Sequence, residues 1–142
     1  MPHHTHTLTV ETTGRGMIDL TRRITGWVGR TGIATGLLTV FCRHTSASLT
    51  INENAAEAVQ RDLLAWLDRI APEGGDYDHD EEGPDDMPAH LKAALTGVSL
   101  AIPVIDGAPA LGTWQGVFLV EHRARPHSRE IVLHLSGDLS GA

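Results

Sequence analysis

The sequence predicts an α+β fold in which helices pack on a mostly antiparallel sheet. Its predicted elements follow the order β-α-β-β-α-loop-α-β-β-β, which lacks the regular strand–helix alternation of a doubly wound parallel sheet. The 142 residues match the size of about one domain, so residues 1–142 are treated as a single unit. Only 4% of them are aromatic, and the core must therefore be built mainly from Leu, Ile, Val and Ala.

Three strands and a helix are predicted in the first third of the chain. Residues 5–12 alternate and are rich in threonine, which is typical of a half-buried strand. Residues 18–28 place apolar side chains at near-helical spacing and predict a helix. Residues 36–43 form a continuous apolar run that predicts a buried strand, and the alternation of residues 48–52 predicts the next strand.

The strongest helical pattern covers residues 54–70. Asn54 is the predicted N-cap, with Glu57 three residues later as in a capping box, and Pro72 follows the end of the pattern. Apolar residues recur on one stripe of this helix, at Val59, Leu63, Trp66, Leu67 and Ile70.

The second half of the chain begins with a loop and ends with strands. Residues 73–86 are polar, acidic and contain glycine, which predicts a loop. Residues 88–95 predict a short helix with proline in its first turn and glycine after its end. Strands are predicted at residues 98–105, 117–122 and 131–136.

Charge and composition argue against several classes of protein. The formal net charge is −7, from 11 Lys and Arg against 18 Asp and Glu, which argues against nucleic-acid binding by counterion release. No apolar run reaches the ~20 residues of a membrane helix, and the first residues do not resemble a secretory signal. The single cysteine, Cys42, excludes an intramolecular disulfide. We therefore expect a cytoplasmic protein with neither a nucleic-acid nor a membrane partner.

Nine histidines are an unusually high number for a chain of this size. Three of them stand where we expect a solvated and frayed tail: His3, His4 and His6. Asp86 and His90 stand four residues apart at the start of a predicted helix, so their side chains can share one face. An imidazole and a carboxylate suit Zn²⁺, Mn²⁺ or a similar divalent metal, and His79 is a further candidate ligand. The structural alternative also stays open, in which Asp86 caps the helix and His90 is a surface residue.

Small and hydroxylated side chains follow the buried strand at residues 43–48 and could line a polar pocket. Cys42 and His44 point the same way on a regular strand and could form a nucleophile pair. Because Cys42 ends an apolar run, it is better explained as a buried packing residue.

Two other segments could contact a ligand. Residues 52–54 precede the main helix, whose free backbone N–H groups favour anions. Residues 112–116 describe a tight turn into a strand. In this turn Trp114 could form the wall of a pocket for a planar ring, with Gln115 contacting the polar edge of that ring. A core tryptophan beside a turn is the alternative.

Four long segments resemble one family when they are taken together and in order. They are HTSASLTINENA, YDHDEEGPDDMPAH, LTGVSLAIPV and LGTWQGVFLVEHR. In this order they resemble the YjbQ-type proteins, also called secondary thiamine phosphate synthases. The resemblance implies an α+β fold whose sheet closes toward a sandwich or barrel, assembled as a homotrimer. It also implies weak thiamine phosphate synthesis, in which a pyrimidine diphosphate condenses with a thiazole phosphate and releases pyrophosphate.

The resemblance also suggests roles for individual positions, at a site that could lie between subunits. A divalent metal (Zn, Mg or Mn) is expected on His44, His79 and His90, with Asp86 beside it. Residues expected to act in catalysis are Glu53, Asp86 and Gln115. Residues expected to contact a small phosphorylated heterocyclic substrate are Arg43, Thr45, Asn52, Thr113, Trp114, Glu121 and Arg123.

Other function classes remain open at this point. The same His and Asp residues would serve a metal-dependent hydrolase or lyase that uses metal-activated water. A non-catalytic protein that binds a small phosphorylated metabolite at the helix terminus and the turn is the second alternative. A trimeric scaffold is the third, but the density of polar motifs argues against it.

Overall fold

The computed structural model describes residues 1–141 and contains eight strands and three helices. In chain order they are β1 (His3–Glu11), β2 (Gly16–Asp19), α1 (Thr21–Thr31), β3 (Ile33–Cys42), β4 (Ala47–Glu53), α2 (Glu57–Ile70), α3 (Asp86–Thr96), β5 (Ser99–Ile105), β6 (Ala108–Pro109), β7 (Gln115–Glu121) and β8 (Ser128–Leu139). Within residues 1–141, none of the helices is long and apolar enough to cross a membrane.

The strands form two antiparallel sheets. The first sheet has the order β1-β8-β3-β5-β6, so the last strand lies between the first and the third. His134 of β8 accordingly lies opposite Thr5 of β1 on one side and Thr39 of β3 on the other. The second sheet has the order β2-β7-β4. The predicted α+β class with mostly antiparallel strands is therefore confirmed.

The core is built on one face of the five-stranded sheet. In β3 the side chains of Leu38, Val40 and Cys42 are buried, whereas Leu37 and Phe41 on the opposite face are exposed. The helix α1 and the second sheet add to the same cluster Leu20, Ile24, Val28, Leu49, Val117 and Leu119. Burial also raises the pKa of the Cys42 thiol, which supports a packing role for this residue over a nucleophilic one.

The N-terminal histidines are part of a strand, and the expected frayed tail is wrong. β1 starts at His3 because β8 is long enough to pair with it along its whole length. His3 Nδ1 lies 3.3 Å from His134 Nε2 on the neighbouring strand, and the His6 ring stacks on Trp27. The pairing with β8, more than a hundred residues away, orders these histidines, and no pattern in the N-terminal sequence predicts it.

The predicted helix at residues 18–28 is divided between two elements. Ile18 belongs to β2 and pairs with Leu119 of β7. The helix α1 begins at Thr21, whose backbone N–H donates to the Asp19 carboxylate at 2.8 Å. Ile18 fits both a strand end and a helical period, and its pairing with β7 places it in the strand.

The helix α2 starts three residues later than predicted, and Asn54 is not its N-cap. The Glu53 carboxylate accepts hydrogen bonds from the backbone N–H groups of Ala55 and Ala56, at 3.0 and 2.8 Å. The Asn54 side chain instead donates to the carbonyl oxygens of Thr113 and Gln115. These bonds tie the helix approach to the turn that precedes β7.

The apolar stripe of α2 stays largely uncovered in the single chain. Only Leu67 is buried, whereas Trp66 is 43% and Ile70 47% exposed. The helix therefore keeps an apolar face toward its surroundings, in contrast to a helix that buries its whole stripe.

Several elements in the second half differ from the prediction. The helix α3 begins at Asp86, two residues before Pro88. The two-residue strand β6 pairs with the end of β5 and was not predicted. β8 extends beyond the predicted strand at both ends, because it pairs with β1 on one side and β3 on the other.

Gly36 and Gly137 face each other in the pairing of β3 with β8. A Cβ atom on Gly137 would overlap the Thr35 carbonyl oxygen and the Gly36 Cα. We expect Gly137→Ala to lower the free energy of unfolding by about 1–3 kcal/mol through overpacking, measured by urea denaturation. The control is Gly29→Ala in α1, where a Cβ atom meets nothing within 4 Å. An unchanged midpoint for Gly137→Ala would contradict the close approach.

Candidate functional site

A group of potential metal ligands lies at the start of α3. It comprises His79 and Glu82 from the loop before the helix, and Asp86 and His90 from its first two turns. One ligand atom from each of these four side chains lies within 4.8 Å of all the others. We call these four residues the His–carboxylate cluster.

Asp86 is the centre of the cluster. Its Oδ2 lies 2.7 Å from His79 Nε2 and 3.0 Å from His90 Nε2, and its Oδ1 accepts a hydrogen bond from Arg123 at 2.6 Å. Glu82 reaches the same place, with Oε2 3.3 Å from His79 Nε2. The Asp86 side chain is only 3% exposed. A buried carboxylate is thus surrounded on one side by two imidazoles and on the other by a guanidinium group.

The tautomer of His90 is set by a backbone carbonyl group in the segment that precedes β4. His90 Nδ1 lies 2.9 Å from the Thr45 carbonyl oxygen, which can only accept, so Nδ1 carries a proton. Nε2 then faces the Asp86 carboxylate, another acceptor, and needs either a second proton or a metal ion at that position. Metal-ligating histidines in proteins usually donate their other ring N–H to a carbonyl or carboxylate in this way.

The neighbours of Asp86 lower its pKa, which keeps the carboxylate in the ionised form that a metal ion binds. Burial acts to raise the pKa of Asp86, but the hydrogen bond from His79 and the charges of His90 and Arg123 outweigh it and lower the pKa below its usual value. The hydrogen bond to Asp86 raises the pKa of His79. Asp86 is therefore ionised at neutral pH.

A second acidic residue, Asp85, contacts the arginine that fixes Asp86. Asp85 accepts hydrogen bonds from Arg123 Nε at 3.0 Å and from the Ala124 backbone N–H at 2.8 Å. Arg123 also donates to the Glu82 carbonyl oxygen at 3.1 Å. Arg123 thus holds the loop and the start of α3 together, with three of its five N–H donors used in these hydrogen bonds.

The donor set fits a divalent metal. Two imidazole nitrogens with two carboxylates form the mixture that Zn²⁺ and Mn²⁺ accept in proteins. Asp86 and His90 are held by their helix and by hydrogen bonds to backbone and Arg123, whereas His79 and Glu82 lie on the exposed loop.

His44, which the resemblance assigns to the metal, lies outside the cluster. Its Nε2 accepts a hydrogen bond from the Glu130 backbone N–H at 2.8 Å, and burial lowers its pKa. It lines a groove of about 480 Å³ together with Thr45, His90, Ala93, Ala94, Gly97 and Val98. In the single chain, His44 is therefore a groove residue whose Nε2 is occupied.

Five of the predicted site residues lie at the opposite end of the second sheet. They are Asn52, Glu53, Thr113, Trp114 and Gln115. β4 and β7 pair from Ala47 opposite Glu121 to Glu53 opposite Gln115, which is six steps or about 20 Å along the strands. Trp114 is 64% exposed at this end. Within one chain the predicted catalytic residues Glu53 and Gln115 are not brought to Asp86.

The turn that carries Trp114 is held firmly. The backbone N–H of Asn54 donates to the Trp114 carbonyl oxygen at 3.0 Å. Gln115 Oε1 accepts from the Gly112 N–H at 2.8 Å, so the glutamine side chain closes the turn. The tryptophan is thus an exposed side chain on a fixed turn, and the alternative of a core tryptophan is wrong.

Two other predicted substrate contacts are engaged in ion pairs. Glu121 is fully buried and accepts two hydrogen bonds from Arg129 and one from Thr12. Arg43 is exposed and pairs with Glu130 at 2.8 Å. Arg43 is therefore free to turn toward a ligand, whereas Glu121 is part of the interior.

Two residues of these networks, Glu82 and Arg129, were not predicted from the sequence. Glu82 stands three residues after His79 in an acidic run, and this spacing was the available signal. Arg129 carries no local signal, because its partner Glu121 lies on another strand.

Comparisons with known proteins agree with one another. The family model described as UPF0047 protein YjbQ-like matches residues 6–138. UPF0047 protein sll1880 of Synechocystis is 49% identical over 137 residues, covering 96% of this chain and 93% of that protein. UPF0047 protein YjbQ of Escherichia coli O157:H7 is 42% identical over 133 residues, covering 93% and 96%.

Solved structures show the same fold. An uncharacterised conserved protein of the yjbq/upf0047 family from Clostridium acetobutylicum has a TM-score of 0.86 at 37% identity, covering 92% of this chain and 99% of that chain. A YbjQ-like protein of unknown function from Sulfolobus solfataricus has a TM-score of 0.86 at 24% identity, covering 96% and 100%, and so shows the fold alone.

Proposed function

The chain belongs to the UPF0047 family of YjbQ-like proteins, and from this premise we propose that it is a metal-assisted thiamine phosphate synthase. It condenses hydroxymethylpyrimidine diphosphate with thiazole phosphate and releases pyrophosphate. The observation that carries the proposal is the buried Asp86 carboxylate between two imidazoles, with Arg123 fixing its other oxygen. The proposed location is the cytoplasm, in keeping with a single buried cysteine.

The reaction breaks the bond between the pyrimidine methylene carbon and the diphosphate, and forms a bond from that carbon to the thiazole nitrogen. A divalent metal, when bound, neutralises negative charge on the departing diphosphate. Asp86, His90 and His79 would hold the ion, with Glu82 as the fourth candidate. The groove beside His90 includes Ala93, Ala94, Gly97 and Val98, small residues against which a heterocycle can pack.

The two separated groups of predicted residues support a site between subunits. We propose a homotrimer in which the Trp114 turn of one copy lies beside the His–carboxylate cluster of the next. Head-to-tail contacts of this kind join two different surfaces of the same chain and close into a ring. The exposed Trp114 and the uncovered stripe of α2 provide apolar area for such contacts. Sedimentation equilibrium measures the assembly, and a monomer at working concentration would overturn this part of the proposal.

A metal-dependent phosphoester hydrolase is the second candidate function. The observation in its favour is that the cluster contacts Thr45 and Arg123, next to one end of the β4–β7 pairing, whereas the Trp114 turn precedes the other end, about 20 Å away along the strands. A hydrolase needs only the cluster and a metal-activated water, so it does not require the aromatic residue.

The test measures both reactions with metal-stripped protein that is reloaded with Zn²⁺, Mn²⁺ or Mg²⁺. We expect thiamine phosphate formation to depend on added metal and to be lost in His90→Ala, because one of the ordered ligands is removed. The matched control is His134→Gln, which removes a histidine that lies 3.3 Å from His3 on the outer sheet face and could bind metal adventitiously. Phosphoester hydrolysis without condensation would select the second candidate. Equal activity in His90→Ala and the parent protein would overturn both.

A further inference from the structure

A second cavity lies on the other side of α3 and is not used by the proposed reaction. It has a volume of about 140 Å³, which corresponds to roughly four or five water-sized groups. Its lining consists of Arg15, Leu64, Leu67, Asp68, Lys92, Glu121 and His122. Polar and apolar side chains therefore enclose a space that fits a small molecule.

His122 is 2% exposed and ends a chain of hydrogen bonds. Its Nε2 lies 2.8 Å from Ser48 Oγ, which contacts Thr96 Oγ1, and Thr96 Oγ1 lies 2.9 Å from the Lys92 carbonyl oxygen. All three bonds form only if His122 Nε2 donates to Ser48, Ser48 donates to Thr96, and Thr96 donates to the carbonyl. This arrangement leaves the proton on Nε2 and a lone pair on Nδ1.

The Nδ1 atom has no hydrogen-bond partner among residues 1–141 and keeps some accessible surface, and His122 lines the cavity. Burial and the neighbouring Lys92 charge lower the pKa of His122 to about 4, so the ring is neutral at pH 7. The cavity wall thus presents one hydrogen-bond acceptor to a ligand.

Two cations supply donors to the same cavity. Lys92 is 4% exposed, and its Nζ donates one hydrogen bond to Asp68 at 2.6 Å, which leaves two N–H groups without an acceptor in residues 1–141. The Arg15 guanidinium lies 3.5 Å from the same Asp68 oxygen. Asp68 is half-exposed and can turn outward. The Glu121 carboxylate in the wall is already neutralised by Arg129.

We propose that this cavity binds a small oxyanion carrying one O–H group, of the class of hydrogen phosphate. The O–H donates to His122 Nδ1, and the other oxygens accept from Lys92 and Arg15. The Asp68 carboxylate already contacts Lys92 and Arg15, so it competes with the ligand for these two cations and is displaced when the ligand binds. The inference depends on neither the metal nor the proposed reaction.

The test is calorimetric titration of the EDTA-treated full chain with inorganic phosphate at pH 7. We expect Asp68→Asn to bind phosphate about tenfold or more tightly than the parent, and Lys92→Met to lose at least about tenfold in affinity, because a charge-assisted hydrogen bond is gained or lost. Arg15→Gln, at an exposed position that does not endanger folding, should weaken binding as well.

Sulfate separates the role of His122 from simple charge attraction. Sulfate has the shape and charge of hydrogen phosphate but lacks an O–H at pH 7, so its oxygen would face the Nδ1 lone pair. We expect sulfate to bind at least about tenfold more weakly than phosphate. Equal binding of the two anions would overturn the assignment of His122. Absence of binding at millimolar phosphate, or equal affinity in Asp68→Asn, Arg15→Gln and the parent, would overturn the site.

Discussion

Substitution of Asp86 by Asn is expected to lower the affinity for divalent metal by more than about 100-fold. The substitution keeps the size of the side chain but replaces the carboxylate that contacts both imidazoles of the cluster. A buried carboxylate with a lowered pKa is the principal negative charge available to a metal ion here. Competition with a chromogenic chelator measures the affinity, in a His3→Gln background that removes the outer-face histidine pair.

Asp85→Asn is the matched control for this experiment. Asp85 is adjacent in sequence and also contacts Arg123, but it points to the Ala124 backbone and not to the imidazoles. Asp85 contacts Arg123 and not the candidate ligands, so it is one step further from the metal position than the direct partners of the ligands. Loss of such a direct partner typically costs about 10- to 100-fold in affinity, and for Asp85→Asn we expect a loss of about 10-fold or less. Similar losses in the two variants would show that charge alone, and not ligation by Asp86, governs the affinity.

The second large effect is expected for Glu121→Gln, which should lower the free energy of unfolding by about 3–5 kcal/mol. The change leaves the buried Arg129 guanidinium without its carboxylate partner, and only the Ser46 oxygens and the introduced amide remain near it. Urea denaturation gives the free energy. The control is Glu130→Gln, whose ion pair with Arg43 is exposed and should be worth less than about 1 kcal/mol.

The double variant Glu121→Gln/Arg129→Met tests the physical reason. If the loss comes from an unpaired buried cation, removing that cation should restore much of the stability. An additive loss in the double variant would mean that packing, rather than charge, explains the effect.

The buried ion pair of Glu121 and Arg129 also predicts how the free energy of unfolding depends on pH. Burial acts to raise the pKa of Glu121, but the hydrogen bonds from Arg129 and Thr12 outweigh it and lower the pKa. A lowered folded-state pKa stabilises the protein above the unfolded value of about 4.3, and this contribution is lost as the pH falls through the folded-state pKa. Glu121→Gln should therefore flatten the acid limb of the stability curve.

Sequence patterns correctly predicted the elements whose conformation follows from their own alternation or apolar run, and failed where a distant strand decides the conformation. The alternation of residues 5–12 and the apolar run of β3 correctly indicated strands, because one face of each strand is in the core. The assignment of Ile18 to a helix failed, since pairing with β7 decides its conformation. The order of His3 depends on a strand at the other end of the sequence, and the stripe of α2 looks like a core face although most of it is uncovered.

The site was predictable where its geometry is helical. Asp86 and His90 are four residues apart, and a helix places such side chains together without any tertiary information. His44 and Trp114 depend on which end of a strand each occupies and on what lies there, and spacing along the chain does not carry this information. Glu82 was hidden because an acidic run offers many carboxylates of equal appearance.

The position of β8 between β1 and β3 has a consequence for biosynthesis. β1 is translated well over a hundred residues before its partner β8. β3 also pairs with β8, and it is translated more than eighty residues before that strand begins. Such long-range pairing slows folding and leaves strand edges open in the nascent chain. The five-stranded sheet can be completed only after β8 has been translated, so the facing edges of β1 and β3 stay unpaired until that point.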